Sequence, residues 1–485
     1  MAMKVLFASS ELAPFAKTGG LADVCGSLPK ALLQWGVAPT LVLPLYRSVT
    51  EGGWGLELVI EGLPVVMGQS EFRTDIYRGW LTEEIPVFFV QRDEFFDRTY
   101  LYGTPKEDYF DNAQRFAFFS RAVIALGEAL SIRWRIIHCH DWQTALIPLY
   151  LKAFYSNHPL FTRTKTIFTI HNLGYQGIFP AETFPLLGLP SRLFSSDILE
   201  FWGKINFLKG GIVSSDQVTT VSPTYAKEIQ TPEFGYGLEE VLRARADELV
   251  GILNGVDYSE WDPEGDPHLV AHYSRDGLQG KRRCKEDLLK TFQLSQDLME
   301  RPLLGMVSRL AEQKGLDILC QVVDKLMAAG AGLVILGKGQ QKYERLLVQL
   351  ARRHPQQMGV RIAFDEPLAH KIEAGCDMFL MPSRYEPCGL SQIYSMKYGT
   401  IPIVRHTGGL ADTVVEVNPK RGSGTGFKFS TYHPDALWEA IEKALSCFAD
   451  KELWLRLVQQ AMSQDFSWSR SARQYLKLYR RRRRG

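Results

Sequence analysis

The pattern that most constrains this 485-residue chain is a recurrence of short apolar runs of strand length, most of them continuous rather than alternating. KVLFASS, TLVLPLY, IPVFFVQ, RIIHCHD, TIFTIHN and QVTTVSP come early, and LLGMVSRL, LVILGKG, RIAFDEP, MFLMPS and IPIVRHTGG come late. A strand that is apolar at every position has both faces covered, which points to a parallel sheet with helices on either side. Amphipathic stretches such as 110–130 and 316–329 lie between the runs and are long enough to be crossover helices. The fold class is therefore α/β, doubly wound. About six runs precede residue 225 and about five follow residue 300, more strands than one open sheet comfortably holds. Two α/β domains are expected, joined near 245–262, where ILNGVDYSEWDPEGDP crowds Gly, Asn, Asp and Pro.

Charge and cysteine usage narrow the function classes. The formal charge of +2 includes Arg480 to Arg484, so residues 1–479 carry 51 basic against 54 acidic side chains, a net −3. That body has no footprint for nucleic acid, and the arginine run reads as a solvated tail. No apolar stretch approaches the roughly 18 residues of a membrane span, and MKVLFASSE is too short for a secretory apolar segment. A cytoplasmic protein is expected, with a plastid-like compartment left open. The seven cysteines are dispersed and form no C-x-x-C, so neither a disulfide framework nor a structural zinc site is indicated.

Residues 18–23 and 407–412 both read TGGLAD. Paired glycines let a strand-to-helix turn bring backbone N–H groups close to an anionic ligand; a tight turn without a ligand is the alternative. Neither copy is G-x-G-x-x-G and no P-loop motif occurs, which disfavours hydride transfer. Ligands of open α/β sheets sit beyond the carboxyl ends of strands, and there the chain places Lys17, Gly19, Gly20 and Asp23, then His140-Asp141-Trp142, His171-Asn172, Asn254-Gly255, Arg309 with Lys314, and Arg384 to Gly389. Arg309 and Lys314 together suit a diphosphate, since a planar fork and a point charge can neutralise a leaving diphosphate without a metal; solvated helix-start cations are the other reading. Glu386 could accept sugar hydroxyls or stabilise a cationic centre, or be a loop carboxylate. His140 and His171 are each more in keeping with satisfied structural groups than with catalysts. His138 and His140, two apart, do not make a metal site. Cys388 as a nucleophile is disfavoured for want of a paired histidine.

These residues carry a resemblance that spans nearly the whole chain. Lys17 to Asp23, His140-Asp141-Trp142, His171-Asn172-Leu173, Asn254-Gly255-Val256-Asp257, Ser308-Arg309-Leu310 with Lys314-Gly315, Arg384 to Leu390 and Thr407 to Asp412 are similar to the bacterial glycogen synthase and plant starch synthase family. The resemblance implies a GT-B architecture, two Rossmann-like domains facing each other across a cleft. It divides them as 1–248, binding the acceptor, and 249–459, binding the nucleotide sugar, with a helix in 460–485 packing back on the first. It implies a retaining glucosyltransferase that moves glucose from ADP-glucose to the non-reducing end of an α-1,4-glucan, with no cofactor and no metal.

Carried over by position, the resemblance makes Glu386, His171, Lys17 and Asp23 the catalytic set. Glu386 would hold the transferred glucose, and His171 would face the anomeric carbon largely through its main-chain carbonyl. Donor binding would fall to Arg309, Lys314, Gly19, Gly20, Phe364, Asn254, Cys388, Gly389, Leu390, Thr407 and Gly408. Two departures stand out: Phe364 replaces the family's usual Tyr stacking on the donor base, and Gln143 stands where His is common. Other nucleotide-sugar transferases of this architecture, using UDP-glucose or a small acceptor such as sucrose, and a glucan-binding protein without catalysis are the competing readings. A phosphorylase fits the motifs less well.

Overall fold

The structure is a computed structural model describing residues 2–104 and 106–481. Of the arginine tail, Arg482 to Arg484 lie outside the described residues. The chain separates into two compact units: residues up to Gly255 together with those from Trp468 onward, and Val256–Ser467. The boundaries differ from those expected, 248/249 and 459/460. Leu249–Gly251 pairs with Gln217–Thr220 and so extends the first unit's sheet. Helix Lys451–Met462 remains in the second unit, and helix Trp468–Arg480 belongs to the first.

Ten of the eleven apolar runs are centred on strands, while RIAFDEP shares only Arg361 and Ile362 with strand Met358–Ile362 and runs on into helix Glu366–Gly375. In the second unit a six-stranded parallel sheet has the spatial order 358–362, 332–337, 303–307, 378–381, 401–405, 427–429. Numbered within the unit this is 3-2-1-4-5-6, the doubly wound order of dinucleotide-binding folds. The continuous hydrophobicity has a simple cause. Leu304, Met306, Leu333, Ile335, Met378 and Leu380 enter one core, while Leu303, Val334, Leu336, Phe379 and Met381 enter another. Successive side chains point to opposite faces, and both faces are packed. Helix Leu316–Ala328 covers one face with Leu316, Leu319, Val323, Leu326 and Met327, at helical spacing.

In the first unit the sheet order is 249–251, 217–220, 165–170, 136–140, 3–8, 37–44, 85–90, 70–82, 57–67. The first seven strands are parallel; the last two form an antiparallel hairpin that the run pattern did not reveal. Strand order reverses between 3–8 and 136–140 here, and between 303–307 and 378–381 in the second unit. Those reversals are the topological switch points, where neighbouring crossovers diverge and leave room for a ligand beyond the strand ends.

Candidate active-site residues

The second unit concentrates its candidates at its switch point. Strand 303–307 leads to Arg309, which is exposed, and to the turn Glu312–Lys314. The neighbouring strand 378–381 leads to Ser383 and Glu386. Lys314 Nζ lies 2.6 Å from Glu386 Oε2, and the two side chains are only 17% and 8% exposed. The Ser383 hydroxyl donates to the same carboxylate oxygen at 2.9 Å. Backbone and side-chain bonds clamp the two loops together: Arg384 N to Gln313 O at 2.8 Å, and Gln313 Nε2 to Tyr385 O at 3.2 Å. Gly315, at φ +74°, completes the clamp, because a Cβ there would collide with the Pro382 carbonyl.

The E-P-C-G-L loop is held from a third side by the second TGG copy. Gly409 N donates to the carbonyls of Glu386 (3.1 Å) and Pro387 (3.2 Å), and a Cβ on Gly408 or Gly409 would strike the Glu386 or Cys388 carbonyl. Thr407 is buried beside them. Cys388 is buried as well; its carbonyl and that of Gly389 accept from Gln392 Nε2 at 3.1 and 2.9 Å, just before Leu390 leads into helix Ser391–Lys397. Gln392 has no motif signal and escaped the sequence reading. Thus Lys314, Glu386, Cys388, Gly389, Leu390, Thr407 and Gly408 form one packed assembly. Phe364 stands apart after strand 358–362, with 88% of its surface exposed.

The first unit has its own set. The loop from Ser9 to Gly19 leaves strand 3–8 and is organised around Glu11, a buried carboxylate that the sequence reading did not single out. Glu11 accepts from Thr18 N (2.7 Å), Thr18 Oγ1 (2.6 Å), Gly19 N (3.1 Å) and the Tyr102 hydroxyl (2.9 Å). Burial pushes its acidity down, raising its pKa against these bonds. Lys17 and Asp23 pair with each other at 2.7 Å, both partly exposed. Gly19 precedes helix Gly20–Leu33, and a Cβ on Gly19 would meet nothing within 4 Å. The first glycine of each TGGLAD copy is therefore used differently: Gly19 leaves open space at the start of its helix, whereas Gly408 fits against backbone.

Strands 136–140 and 165–170 run side by side, so His140 and His171 emerge together. His140 Nδ1 lies 2.9 Å from His171 Nε2. His140 Nε2 is buried with no partner among the described residues, which favours leaving it unprotonated and letting Nδ1 donate to His171. Burial lowers the pKa of His171 to about 3, so it is neutral near pH 7 and, with Nε2 accepting from His140, offers an N–H and a carbonyl rather than a charge. His138 is a structural group, bonded to the Tyr479 hydroxyl (2.8 Å) and Thr169 Oγ1 (2.6 Å). Asp141 sits at φ +55°, ψ −178°, a conformation rarely held without a reason. Its carboxylate accepts from His171 N at 2.7 Å, and burial raises its pKa to about 7. Gln143 is buried there too, its Oε1 without a partner among the described residues.

Asn254 requires a correction: it belongs to the first unit, not to the nucleotide-binding half to which 249–459 assigned it. It is buried where the chain meets helix Trp468–Arg480, and Gly255 follows because a Cβ would collide with Trp468.

Comparison with known proteins bears on the family and the fold. The family model for the starch synthase catalytic domain matches residues 4–244, and that for glycosyl transferases group 1 matches residues 291–462. Over 98% of this chain and 98% of its own length, a glycogen synthase of Koribacter versatilis is 49% identical. A glycogen synthase of Syntrophotalea carbinolica is 47% identical, with 99% of both chains covered. The chain belongs to the glycogen and starch synthase family. It is a glycosyltransferase, and its reaction is glucosyl transfer in glycogen or starch synthesis. The catalytic domain of starch synthase IV from Arabidopsis thaliana, solved with ADP and acarbose, superposes with a TM-score of 0.90 at 35% identity, covering 99% of each chain. Sucrose-phosphate synthase from Thermosynechococcus elongatus, 16% identical with a TM-score of 0.60 over 99% of this chain and 98% of its own, shares the fold. No helix among the described residues is long and apolar enough to cross a membrane.

Proposed function

We propose that this glycogen or starch synthase homologue transfers glucose from ADP-glucose, with retention, to the non-reducing end of an α-1,4-glucan in the cytoplasm. The observation that carries the reading is the buried Lys314–Glu386 pair at the switch point of a 3-2-1-4-5-6 sheet. A lysine ammonium has three donors, and Glu386 takes one of them. The others serve the donor's phosphate oxygens, with the exposed Arg309 as a second cation. As the glycosidic bond to phosphate lengthens, charge grows on the leaving diphosphate, and fixed cations stabilise it more than they stabilise the ground state. Glu386, oriented by Lys314 and Ser383, holds the glucose hydroxyls and faces the positive charge developing on the sugar. Phe364 stacks on the adenine. In the first unit, Lys17, Asp23, Gly19, Gly20 and neutral His171 are the candidates for contact with the donor's sugar or phosphate. The leaving phosphate oxygen takes the proton of the incoming hydroxyl, which gives retention without a carboxylate nucleophile.

The test is transfer of labelled glucose from ADP-glucose to a maltooligosaccharide, with the anomeric configuration of the new linkage read by proton NMR. ADP-glucose should outperform UDP-glucose, the linkage should be α, and a chelator should leave the rate unchanged. Glu386→Ala should lower kcat on the order of 10²-fold or more while ADP still binds. Near-normal turnover in that variant, or loss of activity on chelation, would overturn the assignment.

A further inference from the structure

Among the described residues, five non-glycine residues have positive φ, and three of them, Asp141, Trp202 and Tyr236, lie in the segments that follow the carboxyl ends of the first unit's strands. Asp141 is explained by its bonds to the His171 segment. Trp202 is a different case. It occupies the first position of a two-residue hairpin turn, between Phe201 and its partner Lys204, with φ +50° at Trp202 and +74° at Gly203. Positive φ at both central residues is the signature of a type I′ turn, which favours Asn-Gly and disfavours a bulky side chain. The indole gains little burial in return, since Trp202 is 78% exposed.

Exposed as it is, the ring is held in place. The Phe201 ring backs it at a centroid distance of 4.4 Å, and a Cβ on Gly237 would lie 2.6 Å from the indole edge. The hairpin is tied to the loop that begins at His171: Asn206 Nδ2 donates to Gln176 Oε1 at 2.6 Å, and Gln176 Nε2 donates to the Tyr236 carbonyl at 3.2 Å. Phe207 N and Leu208 N donate to the carbonyls of Gly177 and Gln176. A strained, rigid and solvent-facing aromatic ring on a functional edge indicates a residue kept for a ligand rather than for the fold.

We propose that Trp202 is a stacking platform for the α-glucan acceptor, a glucan contact additional to the residues that carry transfer. The inference rests on the glucan-acceptor reading above. A glucose unit has an apolar face of C–H groups that covers an indole, while its rim of hydroxyls suits the exposed Lys204 that follows the turn and Glu200, whose Oε1 accepts from Gly203 N at 2.7 Å. A single ring framed by charged residues is too small for a stable contact with a second copy of this chain, which requires a broad apolar core.

The fold and the ligand make opposite demands on position 202, and this gives the test. Trp202→Asn installs the residue the turn prefers, so the thermal midpoint should hold or rise. Mobility in native gels containing glycogen, run without donor, should lose its retardation, and the KM for a maltooligosaccharide should rise roughly three- to tenfold, with the KM for ADP-glucose unchanged. Trp202→Tyr should keep most of the retardation. Unaltered retardation and glucan KM in Trp202→Asn would overturn the proposal, as would a change in oligomeric state as the only effect. Because the gel assay needs no donor, wild-type retardation lost in the variant would support the platform even if ADP-glucose proved not to be the donor.

Discussion

Replacing Lys314 by Met removes the cation from a pair whose carboxylate is 8% exposed, leaving Glu386 with the Ser383 hydroxyl. Breaking a buried ion pair by deleting one partner costs about 3–5 kcal/mol, because the remaining charge has lost both water and counter-charge. Lys314 retains 17% exposure, so water can partly replace it and the lower end, about 3 kcal/mol, is expected. For a unit of roughly 210 residues, about 2–4 °C per kcal/mol converts this to a fall of about 6–12 °C in its thermal midpoint. Glu386→Gln should cost less, since the amide oxygen still accepts from the ammonium. The double variant carries neither charge, so its loss should be about 2 kcal/mol smaller than the sum of the single losses. Calorimetry of the full chain in a double-mutant cycle reads this coupling directly. A cycle additive to within about 0.5 kcal/mol would show that the two groups merely sit close, and the argument that the site is preorganised around their pair would fail.

Other predictions follow from single sites. Asp141 has a pKa near 7 when folded, raised by burial from 3.8. Between those values the folded chain keeps a proton that the unfolded chain has released, so this group's contribution to stability declines as pH rises through the window and levels off above 7. Asp141→Asn should flatten that decline, by up to about 1.4 kcal/mol per pH unit, in denaturant titrations from pH 4 to 7; equal slopes in the two proteins would contradict the assignment. Phe364→Ala should leave the thermal midpoint in place, given 88% exposure, and raise the KM for ADP-glucose roughly tenfold through lost stacking. An unchanged donor KM would remove Phe364 from the site.

The parallel core was legible because its physics is local: a strand packed on both faces must be apolar at each position, and the runs marked strands except at the sheet edge, where RIAFDEP only overlaps the end of Met358–Ile362. The hairpin 57–82 left a weaker trace. Its residues alternate between buried and exposed near Leu63, Val65 and Met67, and its pairing is antiparallel, so no continuous run marked it. The candidate site divides along the same line. Residues at strand ends, such as Lys314, Glu386 and His171, could be found by reading what terminates each apolar run. Two residues that orient them, Glu11 and Gln392, could not, nor could the pairing of His140, itself found at a strand end, with His171. Glu11 caps a turn seven residues downstream, Gln392 ties carbonyls in the loop that precedes its helix, and His140 meets His171 only because two strands distant in sequence lie side by side. Glu11 and Gln392 work through backbone N–H or C=O groups whose position depends on the folded chain, so their residue types carry no signal of their own. The TGGLAD repeat sharpens the point: Gly19 of one copy opens onto free space, while its counterpart Gly408 is wedged against the Glu386 loop. Identical letters therefore fix the turn chemistry, while the neighbours brought by the fold decide whether a glycine serves a ligand or a loop.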